Sequence, residues 1–256
     1  MPDLSIALLL LITGFIAGGC NAVAGGGTFF TFPAFLAAGL PPVFANASNS
    51  VAVWPGHAFA AIGYRAELRG RMGNIRGSLC IAFLGGAVGA VLAGVIANQV
   101  FARLIPLLLL FATLLFAFGR RISAFVERPV TDTPHTSFAS RCLEWVVAIY
   151  GGFFGAGLGV MLMASLSMLG VHDMQLNNAL KNLLGAVINS VAVIVFAVLG
   201  VVSWPHTLIA FVGAVAGGLA GARLARRLSE VWLRRIVIAV GLVLSAYYFW
   251  RYYGSS

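Results

Sequence analysis

Long apolar stretches recur along the whole chain and limit what it can fold into. A membrane-spanning helix needs about 20 mostly apolar residues, because the hydrocarbon core is about 30 Å thick. Helix is the default for each stretch, since lipid leaves no water to satisfy an open sheet edge. The sequence therefore predicts an all-α polytopic membrane protein. Its apolar segments lie at 5–24, 27–38, 44–64, 77–97, 101–118, 143–156, 158–169, 177–199, 204–222 and 232–250.

Charge and motif content exclude most other classes of protein. Only 9% of the 256 residues are charged, against roughly 25% in a soluble domain, so a soluble enzyme, a nucleic-acid-binding domain and a disordered chain are excluded. The net charge of +9 comes from short clusters of Arg between apolar runs, which is typical of cytoplasmic loops rather than of a nucleic-acid partner. Cys20, Cys80 and Cys142 form no close pair, and no nucleotide-binding or hydrolase motif occurs. We expect no catalytic residue, no cofactor and no metal.

Two glycine clusters each split a pair of apolar segments. The first is Gly25-Gly26-Gly27 and the second runs from Gly155 to Gly159. Glycine clusters break helices and let backbone approach a ligand closely, and short, broken segments in matching places of two halves point to a transporter binding site. A half-helix that starts after such a break presents N–H groups and a positive dipole end, which favours an anion.

The two halves of the chain correspond. A shift of 131 positions brings Gly26 onto Gly157 and Gly39 onto Gly170, and the order of apolar segments is shared. This predicts a first transmembrane repeat at 1–119, a cytoplasmic linker at 120–142 and a second repeat at 143–256.

The distribution of Arg predicts that the repeats are inverted. The loop at 65–76 carries four Arg and its equivalent at 200–203 carries none, whereas 98–103 carries one and its equivalent at 223–235 carries five. If Arg-rich loops face the cytoplasm, equivalent loops lie on opposite sides. Each broken pair is then a re-entrant hairpin beside about eight main helices. In the alternative, both members of each pair span the membrane, which gives ten crossings.

Polar side chains within the spans are the candidate substrate site. Lys181 is the only Lys, and an ionisable residue inside a span is a functional-site hypothesis, with snorkelling to the interface as the alternative. Amides and hydroxyls can bind an oxyanion or simply hydrogen-bond between helices. His57 is the candidate for carrying a coupling proton, with a structural role as the alternative. The candidate substrate-binding residues are Asn21, Gly25, Gly26, Gly27, Thr28, Asn46, Ser48, Asn49, Gly157, Gly159, Lys181 and Asn182.

These residues also carry a family resemblance. The stretch that runs from Gly14 through the first glycine cluster to Asn49, together with Gly151 to Gly159, resembles the TauE/SafE sulfite exporter family, also called the 4-toluene sulfonate uptake permease family. The resemblance covers about residues 8–250. It departs from the family pattern at Leu158, where a Gly is usual, and in having no Pro to match Pro33. The resemblance implies a multi-pass protein of the bacterial inner membrane that moves sulfite, sulfonates or related small anions.

We therefore expect a secondary transporter of small sulfur-containing anions that works by alternating access. The expected partners are a small anionic substrate and the lipid bilayer, and a homo-oligomer is left open. Two rival functions are an anion channel and an intramembrane sulfur-relay enzyme that uses Cys20.

Overall fold

The fold is described by a computed structural model for residues 2–23, 26–69, 75–126, 138–171, 173–224 and 230–254. Within these ranges the chain forms eleven helices and no strand, which confirms the all-α prediction. The helices are α1 (Leu4–Val23), α2 (Thr28–Ala37), α3 (Pro42–Gly63), α4 (Arg65–Leu68), α5 (Arg76–Val95), α6 (Asn98–Val126), α7 (Phe138–Phe153), α8 (Leu158–Met168), α9 (Met174–Val198), α10 (Trp204–Leu224) and α11 (Glu230–Tyr253).

Six helices are long and apolar enough to cross a membrane: α1, α5, α6, α9, α10 and α11. Helix α3 is of similar length, at 22 residues, but carries a polar run from Asn46 to Ser50. Every one of the ten apolar segments corresponds to one of the long or short helices. The chain is therefore a multi-pass membrane protein.

The two glycine clusters break the helices where the sequence predicts. Helix α1 ends before the first cluster and α7 ends before the second. The backbone turns through positive φ at Gly26 (87°), Gly155 (73°) and Gly157 (74°), a conformation that favours glycine. The half-helices that follow, α2 with 10 residues and α8 with 11, are about 15 and 17 Å long. Each length is about half the thickness of a hydrocarbon core.

Helix packing follows a twofold pattern between the halves. The predicted repeat would pair α1 with α7, α2 with α8, α3 with α9, α5 with α10 and α6 with α11. Under this exchange the α1–α10 contact becomes α7–α5, and the α5–α9 contact becomes α10–α3; all four contacts are present. The first helix of each half thus packs against a later helix of the other half.

Glycine lets α1 and α10 approach closely. A Cβ added at Gly18 would lie 2.0 Å from the carbonyl oxygen of Ala214, and one at Gly217 would lie 1.9 Å from that of Phe15. Contacts advance along both helices together, so α1 and α10 run parallel. Small residues at such spacing are the usual means of close helix packing in membranes.

The equivalent α5–α7 interface is built in the same way. A Cβ at Gly89 would lie 2.0 Å from the carbonyl oxygen of Ile149, and one at Gly152 would lie 2.1 Å from that of Gly86. These helices also run parallel. The close approach therefore occurs once in each half of the twofold pattern.

Two pairs of matched helices run in opposite directions. In α3 and α9, Trp54 donates its indole N–H to Ser190 at 2.8 Å, and His57 lies against Gly185. In α6 and α11, Arg234 reaches the carbonyl of Ala117, and the Tyr253 hydroxyl reaches that of Arg103. Later residues of one helix thus meet earlier residues of its partner.

The predicted linker at 120–142 is described only at its ends. Helix α6 continues to Val126 and α7 begins at Phe138. Residues 127–137 lie outside the described part of the chain, so the position of the linker stays a prediction.

Candidate functional site

Both glycine breaks lie against the middle of α6. A Cβ at Gly26 would meet the Phe116 ring at 3.2 Å, and one at Gly157 would meet the carbonyl oxygen of Ala112 at 3.5 Å. Ala112 and Phe116 are one helical turn apart, and both are buried. The starts of the two half-helices are therefore held at neighbouring levels of one central helix.

Side chains of α1, α2 and α3 form a polar cluster around the first break. Asn21 accepts a hydrogen bond from the backbone N–H of Gly27 at 2.7 Å. The Thr31 hydroxyl donates to Asn49 Oδ1, and the Asn49 amide reaches the Thr28 hydroxyl at 3.5 Å. Thr28, Thr31 and Asn49 are all buried. We call Asn21, Gly27, Thr28, Thr31 and Asn49 the first-break cluster.

Lys181 lies beside the start of the second half-helix. A Cβ at Gly159, in the first turn of α8, would meet Lys181 Cδ at 3.7 Å, so the lysine stem covers that turn. The ammonium donates to Asn178 Oδ1 at 2.9 Å. The site thus brings the stem of a lysine to the first turn of a half-helix, while its ammonium is bonded to Asn178 on α9.

The turn of the second break is held by Tyr150. The Tyr150 hydroxyl donates to the carbonyl of Ala156 at 2.7 Å, between the two positive-φ glycines. The first break has a comparable tie in the bond from Gly27 to Asn21. In each half, a side chain near the end of the long helix fixes the turn that follows it.

The remaining predicted residues lie on α3 and α9. His57 faces Gly185, one turn along α9 from Lys181, and Asn182 is buried on the same helix. Asn46 donates to the carbonyl of Phe153 at 2.8 Å. Ser48 is directed elsewhere, because its hydroxyl accepts the backbone N–H of Ser203 in the turn before α10 at 3.0 Å.

The structure thus brings most of the predicted residues to the two breaks. Gly25 lies outside the described residues, and Ser48 joins α3 to the α9–α10 turn instead of facing either break. The substrate-binding roles of all of these residues, and the proton-coupling role of His57, stay predictions.

Sequence reasoning missed three polar residues at or near these helices. Thr31 completes the first-break cluster, and its spacing of three from Thr28 was the available signal. Tyr150 had no signal beyond its place before the glycines. Glu144 is buried at 6% exposure, accepts from Ser78 at 2.6 Å and pairs with Arg141 at 2.7 Å. A lone carboxylate in an apolar segment, three residues after an Arg, could have identified it.

Long apolar helices, with two broken helices whose breaks lie against one central helix and beside buried polar groups, fit the architecture of a membrane transporter. The family model described as "Sulfite exporter TauE/SafE" matches residues 10–248. The chain belongs to this family, as its sequence motifs predict, and it is a multi-pass protein of the bacterial inner membrane.

Curated relatives carry transporter names. A "Probable membrane transporter protein" of Haemophilus influenzae is 27% identical over 250 residues, which cover 95% of each chain. The "Probable membrane transporter protein YfcA" of Escherichia coli is 26% identical over 239 residues, 93% of this chain and 87% of the relative. A third, "Probable membrane transporter protein ORF9" of a Sinorhizobium species, is 28% identical over 250 residues, 96% of this chain and 94% of the relative. No solved structure gives a significant match.

Proposed function

We propose that this chain is a secondary-active transporter of small sulfur-containing anions, sulfite or organic sulfonates, and that it works by alternating access. The family description names sulfite export. The direction of transport is not part of the proposal, since the geometry of the site is compatible with either.

The observation that carries the proposal is the place of Lys181. Its stem lies over Gly159 at the start of α8, which supports a shared role for the lysine charge and this helix N-terminus. Both favour negative charge. The first-break cluster adds hydroxyl and amide groups from the other half. A small oxyanion is the kind of ligand that needs a few donors and one compensating charge.

Alternating access requires two conformations, one in which the substrate site opens to one side of the membrane and one in which it opens to the other. Inverted repeats provide this, because equivalent helices then run in opposite directions. The antiparallel courses of α3 and α9, and of α6 and α11, support this part of the proposal. The packing of α1 against α10 and of α7 against α5 supports it as well, because the first helix of each half contacts the other half.

Transport is favoured over the sulfur-relay alternative by the surroundings of Cys20. This residue is 5% exposed. A small packing residue is the ordinary role of such a cysteine. His57, at the α3–α9 contact, is our candidate for proton coupling.

Proteoliposomes loaded with sulfite or a simple sulfonate test the proposal. We expect saturable uptake and counterflow, which a channel does not give. Lys181→Ala should lower kcat/KM about tenfold to a hundredfold, the loss expected for one charge-assisted hydrogen bond. Arg251→Ala is the matched control, since it removes one exposed cation near the end of α11.

The outcomes separate the parts of the proposal. No flux of any sulfur anion would overturn the substrate class, and flux without counterflow would favour the channel. Equal kcat/KM for Lys181→Ala and the parent protein would remove Lys181 from the mechanism.

A further inference from the structure

The side chain of Asn46 contains a buried acceptor without a partner. Asn46 is 0% exposed, and its amide nitrogen donates to the carbonyl of Phe153 at 2.8 Å. Its Oδ1 has no hydrogen-bond partner among the described residues. The orientation is fixed by chemistry, because exchanging the two atoms would set Oδ1 against the Phe153 oxygen, another acceptor.

The same situation occurs at the matching position of the other half. Asn177 lies 131 residues after Asn46, the shift that also matches Gly26 to Gly157. Its amide nitrogen faces the carbonyls of Met163 and Val171 and the Ser167 hydroxyl, and its Oδ1 also lacks a partner in the described part of the chain. Buried polar atoms are nearly always satisfied. Two exceptions at equivalent positions indicate a function for the carbonyl.

Asn46 lies between the two breaks. It is one turn from Asn49 of the first-break cluster on α3, and Ser50, one turn on, donates to the backbone carbonyl of Asn46 at 3.0 Å. Its partner Phe153 is the last residue of α7, directly before the second break. A ligand that bridges the breaks would pass this side chain.

The chemistry of Oδ1 restricts such a ligand. Oxygens of a sulfonate are themselves acceptors, so they repel an amide carbonyl. Of the groups that a small organic sulfonate can offer, only an O–H or N–H can bind it. A ligand that offers no donor leaves the buried carbonyl unsatisfied, and sites built in this way discriminate strongly against the analogue that lacks the group.

We propose that Asn46 Oδ1 is a specificity determinant that selects small organic sulfonates carrying a hydroxyl or ammonium donor beside the anionic group. The inference rests on the proposed function and narrows its substrate class. Asn46 Oδ1 would then accept a hydrogen bond from the hydroxyl or ammonium group of the substrate, while Lys181 and the N-termini of the half-helices bind its anionic group.

Three sulfonates of nearly equal size test the inference in proteoliposomes. 2-Hydroxyethanesulfonate offers a neutral donor, 2-aminoethanesulfonate offers a cationic donor, and propane-1-sulfonate offers none. For the parent protein we expect kcat/KM to favour at least one of the donor-bearing compounds over propane-1-sulfonate about tenfold to a hundredfold. The first two compounds distinguish a hydroxyl from an ammonium group as the preferred donor.

The variant Asn46→Leu keeps the number and branching of the side-chain heavy atoms and removes both the Oδ1 acceptor and the amide donor to the Phe153 carbonyl. We expect its preference to fall to within about twofold, with uptake of propane-1-sulfonate kept or raised, because no side-chain carbonyl remains to be satisfied. Asn189→Leu is the matched control. Asn189 is also buried in a span, but it bonds within its own helix, to the carbonyl of Gly185, so its variant should keep the parent preference.

Ligand-induced thermal stabilisation of the parent protein by the same three compounds keeps the test open if Asn46→Leu does not fold. Greater thermal stabilisation by the donor-bearing compounds than by propane-1-sulfonate supports the inference. Equal transport or equal stabilisation by all three would overturn it while leaving the proposed function intact. If neither the three sulfonates nor sulfite were transported, that result would instead count against the proposed function.

Discussion

The close approach of α1 and α10 gives a sharp prediction because two neighbouring glycines of α10 differ in their surroundings. A methyl group at Gly217 would lie 1.9 Å from the carbonyl oxygen of Phe15, whereas one at Gly218 would lie 3.8 Å from that of Gly18. Gly217→Ala should therefore destabilise the protein, and Gly218→Ala should not. Both variants add the same methyl group to the same helix.

The magnitude follows from these distances. Ordinary contact begins near 3.4 Å, so Gly217→Ala must separate the helices by about 1.5 Å. Backbone cannot rotate away as a side chain can. Overpacking costs about 1–3 kcal/mol, and we expect the upper end, since separation also weakens the dispersion contacts along the rest of the interface. The gain in helix propensity, up to about 1 kcal/mol, is common to both variants and cancels.

Cys20 provides the assay. It lies on α1 and is 5% exposed, whereas Cys80 and Cys142 are exposed. In a Cys80→Ser, Cys142→Ser background, a thiol-reactive fluorophore reports only the loss of α1 packing on heating. A deficit of about 3 kcal/mol corresponds to a melting temperature roughly 6–12 °C below that of the Gly218→Ala protein.

Equal melting temperatures for the two alanine variants would refute this reasoning. So would a Gly217→Ala protein as stable as the Cys20-only parent. Either result would mean that α1 and α10 do not approach as closely as the structure places them.

Two further predictions concern the polar ties near α7. Glu144→Gln should lower the free energy of unfolding by about 1–2 kcal/mol, because Ser78 and Arg141 both donate to the carboxylate. Since Arg141 is partly exposed, a double-mutant cycle with Arg141→Gln in thermal unfolding should give a coupling of at most about 1 kcal/mol, and a larger value would contradict this. Tyr150→Phe should lower the free energy of unfolding by about 1–3 kcal/mol, because it leaves the Ala156 carbonyl unpaired. Tyr247 is exposed, so Tyr247→Phe should melt like the parent; equal losses for the two variants would show that the bond from Tyr150 to the turn contributes nothing.

Much of the fold could be predicted because lipid imposes simple rules. Span length and the glycine clusters located the ten segments and both breaks. The differences occur at the polar ends of two helices. Helix α6 continues to Val126 and α7 starts at Phe138, several residues beyond the apolar ends predicted at 118 and 143. Apolar content marks the hydrocarbon core and not the end of a helix, since polar residues continue a helix into the interface.

The types of residue at the site could be predicted from the sequence, but their hydrogen-bond partners could not. Asn49 and Lys181 stand out in apolar surroundings, but sequence spacing gives no sign that Asn49 meets Thr31 or that Ser48 meets Ser203. Such contacts depend on which helices pack, and here the packing crosses between halves. Glu144 is not found by an argument that counts charges in loops to assign topology, because a single acid within a span does not enter that count.

The exchange of helices between halves has a consequence for how the protein is made. Helix α1 leaves the ribosome about 200 residues before α10, the helix it packs against most extensively. During that interval its glycine-lined face must remain in lipid or be covered by the insertion machinery. Neither half can complete its own packing before the other is inserted, so assembly is committed only when synthesis is nearly finished.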